Sequence, residues 1–338
     1  MPASSRPTVA VFGAAGYAGS LAARLLHNHP NFDLRWVTAR SDVGQRLDHV
    51  YPHHRVPMVL EEADLERHGG VDAAIVAYPH GASAAFVAQL RERGVKVVDL
   101  SADFRLHDVE TYEEWYQPHP HPELVGRAVY GLPELYRQDI AGAELVANPG
   151  CYPTATILAL APLARAGLIA DVVVDAKSGV SGAGRVATDK THFVTVDENV
   201  NAYGVPRHRH TPEIEQELTM LGSDTRITFT PHLLPLDQGE LVSCYVTPTD
   251  STVTAAELET LYHDAYDREP FIELVREPAG VRAVRETNIC RISLHRDDRT
   301  GRVIVFGAID NLWKGTASEA VQNLNLMFGL PEGAGIGG

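Results

Sequence analysis

TVAVFGAAGYAGSLAARLL (residues 8–26) is the stretch that decides the fold. Five residues, TVAVF, read as a short buried strand. Gly13, Gly16 and Gly19 follow, and then a run of small residues and leucines that must end before Pro30. A strand, a glycine-rich turn and a helix start together form a βα unit. Glycines there let the backbone approach a pyrophosphate, and the N–H groups of the helix start can bind it. The spacing is G-x-x-G-x-x-G rather than G-x-G-x-x-G, so the same turn is also compatible with a βα unit that binds nothing. A signal peptide or short membrane span has similar length. A single Arg before the run, and the interruption by three glycines and Tyr17, speak against both.

Working outward, LRWVTA (34–39), AAIVAYP (73–79) and VKVVDL (95–100) are further short β-branched runs, and 82–93 has helical spacing. Strands alternating with helices predict a parallel, doubly wound sheet of Rossmann type. The second half changes character. VVVDAKSGV (172–180), TRITFTPHLLP (225–235), GELVSCYVTP (239–248), ICRISLHR (289–296) and RVIVFGAID (302–310) alternate with period two. They predict a mostly antiparallel or mixed sheet, interrupted by an amphipathic helix at 254–267. A last helix is expected at 316–329, stopped by Gly329 and Pro331. The expected organisation is a nucleotide-binding domain over 1–150, joined by a returning C-terminal helix within 312–338. A second α/β domain, catalytic and dimerising, is expected over 151–311.

The second strand ends in Thr38-Ala39-Arg40-Ser41. An NAD site places an acidic residue there for the ribose hydroxyls. A guanidinium and two hydroxyls suit a 2′-phosphate instead, so NADP(H) is the expected cofactor, with Asp42 the one acidic group nearby. A chain of 338 residues can bury two cores, and its net charge of −15 without a basic block argues against nucleic acid or anionic membrane as a partner. Its three cysteines lie far apart, which fits a reducing, cytoplasmic setting rather than a disulfide framework.

Cys244 and Cys290 alternate with apolar residues and read as core. Cys151 differs, because it lies in NPGCYPT (148–154) between a Pro-Gly turn and a helix that Pro153 is suited to open. A helix N-terminus favours negative charge and so raises the thiolate fraction of a thiol, which makes Cys151 a candidate nucleophile. The segment HRHTPE (208–213) supplies imidazoles next to a helix start, with Thr211 as the expected N-cap and Pro212 as the first helical residue. His210, with His208 second, is the expected proton donor, and Glu213 is near enough to orient it. No Cys, Asp or Glu stands at ligand spacing from HPHP (119–122) or HRH, so no metal is expected.

With Cys151 and the nucleotide turn both in hand, the chain resembles the N-acetyl-γ-glutamyl-phosphate reductases of arginine biosynthesis along nearly its whole length. The resemblance rests on VFGAAGYAG, AYPHG (77–81), DLSADFRL (99–106), YGLPEL (130–135) and ANPGCYPT (147–154). It continues through KSGVSGAGR (177–185), HRHTPEIEQ (208–216) and DNLWKG (310–315). It implies reduction of an acyl phosphate to an aldehyde through a Cys151 thioester, with NADPH as hydride donor. Among cofactor contacts it implies Gly13, Gly16, Tyr17, Gly19, Arg40, Ser41, Pro79, Ser181, Gly182 and Asn311. For the substrate's carboxylate and phosphate it implies Arg105, Asn148, Ser178 and Arg185. A homo-oligomer, dimer or tetramer, is expected, with a small acyl phosphate as the partner. One departure stands out: an arginine is expected before the glycine of PHLLPLDQG, and this chain has Gln238. An NADP-sensing regulator, a cysteine hydrolase and a reductase for the one-carbon-longer aminoadipyl phosphate are the competing readings. The first would not need Cys151, and the second has no use for GAAGYAG and Arg40. The third is disfavoured by KSGVSGAGR.

Overall fold

The computed structural model describes residues 6–337. The chain divides into two compact units, residues 6–149 with 316–337, and residues 150–315.

In the first unit, β1 (Thr8–Phe12), β2 (Asp33–Thr38), β3 (Ala73–Val76), β4 (Lys96–Asp99), β5 (Val129–Tyr130) and β6 (Leu145–Ala147) form one sheet in the order β2-β1-β3-β4-β6-β5. Every neighbouring pair is parallel. Val9–Phe12 and Ala73–Val76 are entirely buried, as expected of strands covered on both faces. Helices α1 (Tyr17–His27), α2 (Ala84–Glu92) and α3 (Pro133–Ile140) belong to the same unit. From β1 the chain goes to one side for β2 and to the other for β3. That reversal is the switch point outside which open α/β sheets bind ligands.

The second unit opens with α4 (Cys151–Arg165), followed by β7 (Asp171–Gly179), β8 (Asn201–Ala202), α5 (Thr211–Met220), β9 (Ile227–Leu234) and β10 (Glu240–Thr247). Then come α6 (Ala255–Tyr266), β11 (Ile272–Leu274), β12 (Cys290–Asp297) and β13 (Arg302–Ile309). The sheet order is β11-β12-β13-β10-β7-β9-β8. It is mixed, because β7/β9 and β11/β12 run parallel and the other pairs antiparallel. Helix α4 is buried along almost its whole length, from Tyr152 to Ala164. Each fully buried leucine in it is worth about 1.5–3 kcal/mol. Pro162 interrupts its hydrogen-bond ladder, since a proline cannot donate to the carbonyl four residues earlier. That carbonyl, Leu158 O, accepts instead from the Tyr266 hydroxyl of α6 at 2.6 Å. Cys244 and Cys290 lie in this core, and burial pushes the Cys244 thiol up to about 12.

The last helix, α7 (Ser318–Met327), follows a π turn over Trp313–Ala317 and packs in the first unit. Asn323 donates to the Gly131 carbonyl at 2.8 Å, and the Lys96 ammonium donates to the Met327 carbonyl at 2.6 Å. Lys96 thereby serves the carbonyl end of the helix, where a cation is favoured. The helix begins two residues later than the sequence pattern suggests, because the π turn takes the first of them.

Two helix starts also differ from expectation. Helix α4 begins at Cys151 with extended Gly150 as its N-cap, so Pro153 is its third residue rather than its first. Proline costs nothing there, because first-turn N–H groups have no helical acceptor anyway. Helix α5 begins at Thr211, and His210 rather than Thr211 is its N-cap. The His208 ring accepts the His210 N–H at 3.1 Å, and Thr211 N–H donates to the His208 carbonyl at 2.9 Å. Those two bonds start the turn one residue early.

Candidate active site

In the first unit, the glycine turn is built for close backbone approach. Gly13 has φ +90°, and a Cβ on it would lie 2.5 Å from the Ala77 carbonyl oxygen after β3. A Cβ on Gly19 would lie 2.3 Å from the Gly13 carbonyl oxygen. Gly13 and Ala14 N–H both donate to the Thr38 carbonyl, at 3.0 and 2.8 Å, and the Tyr51 hydroxyl donates to Ala15 O at 2.7 Å. Extended Gly16 caps α1 without a side chain, leaving the first-turn N–H groups without helical acceptors beside Tyr17. Arg40 is exposed just past β2 with its guanidinium 5.0 Å from the centre of the Tyr78 ring, and Ser41 is exposed next to it. The residues fit a dinucleotide: the glycines leave room for close backbone approach, and Arg40 is the cation just past β2.

The loop after β3 is held from the DLSADF segment. Asp103 accepts from the N–H groups of Gly81 (2.6 Å), Ser83 (3.2 Å) and Ala84 (3.0 Å) and from the Tyr112 hydroxyl (2.9 Å). Asp99 accepts from the hydroxyls of Ser83 and Ser101, each at 2.5 Å. Burial pushes its carboxyl up to about 6, with the two hydroxyls acting the other way. This framework shapes the backbone that carries Pro79, which is itself exposed. Sequence reasoning did not assign it, although the repeated Asp and Ser of DLSADF were its signal.

Arg105 and Asn148 are buried in the same unit and serve the backbone. Arg105 donates to the carbonyls of Asn148 (2.7 Å) and Leu100 (2.8 Å). The Asn148 amide donates to Thr316 O at 3.3 Å and accepts from Asn323 at 3.0 Å. Both brace the chain leading into NPGC.

In the second unit, Cys151 is partly buried at the first position of α4. Gly315 packs its backbone against it so closely that a Cβ there would lie 2.8 Å from the cysteine Cβ. Glu213 of α5 is buried and accepts the Gly150 N–H at 2.9 Å, which fixes the turn carrying the thiol. His208 and His210 sit together with ring centres 4.9 Å apart, and both lie edge-on to Tyr152, at 5.8 and 5.9 Å. Burial, helped by the Arg209 charge, lowers His208 to about 4, so it is neutral at pH 7. The Tyr203 and Tyr152 hydroxyls meet at 3.2 Å, and burial raises both above the ordinary tyrosine value.

A separate network ties three loops of this unit together. The Ser181 hydroxyl donates to Asp237 O at 2.6 Å and accepts from the Asn311 amide at 3.0 Å. Asn311 in turn accepts the Gly239 N–H at 2.8 Å. Gly182 lies beside it, where a Cβ would come 3.0 Å from the Ser178 hydroxyl and 3.7 Å from Asn311. Ser178 is buried at the end of β7, and Arg185 is exposed in the following loop. Gln238, in the position where the resemblance leads one to expect arginine, hydrogen-bonds the Asp237 carboxylate at 3.5 Å. Asp237 also pairs with Arg285, at 3.5 Å.

One acidic residue was missed. Glu240 opens β10 on the face it shares with Val242, Cys244 and Val246, all fully buried. A carboxylate on an otherwise apolar strand face was the available signal. Its carboxyl is pushed up to about 8, chiefly by burial, with Cys151 acting the other way and Asp310 adding to the rise. Among the described residues no group of three or more His, Cys, Asp or Glu could hold a metal ion, and no helix is long and apolar enough to cross a membrane.

Comparison with known proteins gives a family for both units. A family model described as the semialdehyde dehydrogenase NAD binding domain matches residues 8–143. A second, described as the semialdehyde dehydrogenase dimerisation domain, matches residues 151–311. A protein named N-acetyl-gamma-glutamyl-phosphate reductase from Desulforudis audaxviator is 49% identical over 339 aligned residues, covering 97% of each chain. Another of that name from Citrifermentans bemidjiense is 49% identical over 341, again covering 97% of each. Among solved structures, aspartate semialdehyde dehydrogenase II from Vibrio cholerae superposes with a TM-score of 0.72 at 20% identity. It covers 96% of this chain and 99% of its own, a likeness of fold.

Proposed function

The chain belongs to the N-acetyl-gamma-glutamyl-phosphate reductase family, and we propose the route by which it reduces N-acetyl-L-glutamyl 5-phosphate to the 5-semialdehyde with release of phosphate. The observation that carries the route is Cys151 at the first position of α4, on a turn clamped by Glu213. The sulfur attacks the acyl carbon and expels phosphate, leaving a thioester. N–H groups of the first turn of α4 stabilise the oxyanion that forms at each tetrahedral stage. NADPH, when bound, supplies the hydride that converts the thioester to the thiohemiacetal level. His210 gives a proton to that oxygen and takes it back as the carbonyl of the aldehyde forms and the thiolate leaves. His208 is poorly suited to this part, because it is neutral near pH 7 and one ring nitrogen already accepts the His210 N–H.

Gly13, Gly16, Tyr17, Gly19 and Pro79 would line the dinucleotide, with Arg40 and Ser41 on the 2′-phosphate, which favours NADP(H) over NAD(H). Ser181, Gly182 and Asn311 would be further cofactor contacts. Ser178 and Arg185 would meet the substrate's anionic groups, and Arg105 and Asn148 would hold the backbone that leads into the Cys151 turn. A homo-oligomer is supported by the dimerisation-domain match, and a cytoplasmic setting by three cysteines none of which is in a disulfide. The test is NADP+ reduction with N-acetylglutamate semialdehyde in the reverse direction. Reduction should require inorganic phosphate, and phosphate-independent turnover would sink the acyl-phosphate chemistry.

A further inference from the structure

Tyr78 is a buried aromatic residue that the route described above does not use. The strand order β2-β1-β3 sets the ends of β2 and β3 on either side of β1. Arg40 stands just past the first of them, Tyr78 just past the second, and Gly13 follows β1 between the two. Across that gap the Arg40 guanidinium lies over the Tyr78 ring, 5.0 Å from its centre.

The ring is fixed by contacts that do not involve Arg40. It is buried and meets Phe86 of α2 edge-on at 5.1 Å, and Phe86 in turn meets Phe12 of β1 at 4.7 Å. Its backbone is held on both sides. Ala77 N–H donates to the Phe12 carbonyl at 2.8 Å, and Asp103 accepts from the N–H groups of Gly81, Ser83 and Ala84. Gly13 leaves the ring its room, since a Cβ there would come 3.3 Å from it. Burial raises the Tyr78 hydroxyl above the ordinary tyrosine value, so the ring is neutral in the working range. Arg40, by contrast, is exposed, and among the described residues it pairs with no carboxylate. The neighbouring Asp42 accepts from the Gln45 amide at 3.5 Å.

We propose that Tyr78 is a positioning residue for cofactor choice: its ring holds the Arg40 guanidinium where a 2′-phosphate would be met. The inference rests on the reading that puts Arg40 on that phosphate. An exposed arginine has many rotamers, and fixing one of them on binding costs affinity. A rigid ring beside it removes part of that cost in advance. A carboxylate could restrain the side chain too, but it would neutralise the charge and occupy N–H donors that a phosphate needs. An aromatic ring does neither, because it attracts the cation as a neutral quadrupole. NADH has no group for Arg40 to neutralise, so the ring should act on the preference for NADPH and not on binding of both cofactors.

The experiment measures Kd for NADPH and for NADH by fluorescence titration of the full chain without substrate. It compares wild type, Tyr78→Leu, Tyr78→Phe, Arg40→Ala and the Tyr78→Leu/Arg40→Ala double variant through the ratio of Kd for NADH to Kd for NADPH. Tyr78→Leu should lower that ratio roughly two- to fivefold, the size of an exposed cation–π contact. Tyr78→Phe keeps the ring and should keep the ratio. In the Arg40→Ala background, Tyr78→Leu should leave the ratio where it is, because a ring that acts through Arg40 then has nothing to hold. If Tyr78→Leu does not fold, Tyr78→Met takes its place. An unmoved ratio in the variant without the ring, including equal weakening of both cofactors, would overturn the proposal. So would a Tyr78→Phe ratio as low as that of Tyr78→Leu, or a fall that persists once Arg40 is gone. If Arg40→Ala by itself leaves the ratio unchanged, the 2′-phosphate reading fails and the role of Tyr78 with it. If Arg40→Ala lowers the ratio and Tyr78→Leu does not, only the role of Tyr78 falls.

Discussion

The turn before α1 and the turn before α4 share one backbone design. Each enters its helix through an extended glycine with no side-chain cap, Gly16 at φ −78°, ψ 163° and Gly150 at φ −72°, ψ 154°. Each leaves first-turn N–H groups without helical acceptors, a setting that favours negative charge. They differ in what is placed there and in what holds it. At α1 the turn is emptied of side chains and tied by the Thr38 carbonyl and the Tyr51 hydroxyl. At α4 a thiol stands at the first position, on a turn whose Gly150 N–H donates to the side chain of Glu213 from α5. By the proposed route, the same geometry would bind a diphosphate in one place and activate sulfur in the other.

Five substitutions would break or sharpen that contrast. Cys151→Ser should abolish turnover in the phosphate-dependent assay while leaving NADPH binding, measured by fluorescence titration, intact. Near-normal turnover would mean that the α4 turn is not a nucleophile site. His210→Asn should lower kcat by about 10² to 10⁴, the range of general acid–base catalysis, with little change in cofactor affinity. His208→Asn should cost much less in the same steady-state kinetics. If His208→Asn is the crippling change, the roles within the pair are reversed. Gly13→Ala tests the emptied turn directly. A Cβ at φ +90° and 2.5 Å from the Ala77 carbonyl must displace backbone, so KM for NADPH should rise well over tenfold and Tm should fall. An unchanged KM would show that the turn tolerates a side chain and is not shaped by cofactor approach. The smallest effect is expected at Arg40→Ala, which should raise KM for NADPH roughly tenfold while hardly changing that for NADH, as for one lost charge-assisted contact. Equal effects on both cofactors would remove Arg40 from the 2′-phosphate.

How much of this was legible depended on sequence distance. The parallel sheet, the βα turn and the arginine just past β2 all follow from patterns within a few residues: buried runs, glycine spacing, and the residue at a strand end. Cys151 was legible for the same reason, because turn and helix start are adjacent in NPGCYPT. The exact helix starts were not, since whether His210 or Thr211 caps α5 depends on where the His208 ring points. The pairing of the second sheet was only half visible, because period-two alternation identifies strands without giving their direction. Strand direction came from the long connections, which return β9 parallel to β7 and set β11 beside β12.

What the sequence determined by itself is therefore the chemistry available at each turn: open backbone at 13–19, a thiol at 151, imidazoles at 208 and 210. What only the tertiary structure decided is which distant side chains tune that chemistry. Glu213 is 63 residues from the Gly150 N–H it accepts. That contact does not follow from spacing, because the closing of so long a loop is determined by how α4 and α5 pack. Asp103 holds the loop after β3 across some twenty residues for the same reason. A pKa is set by burial and neighbours, and both exist only once the chain has folded.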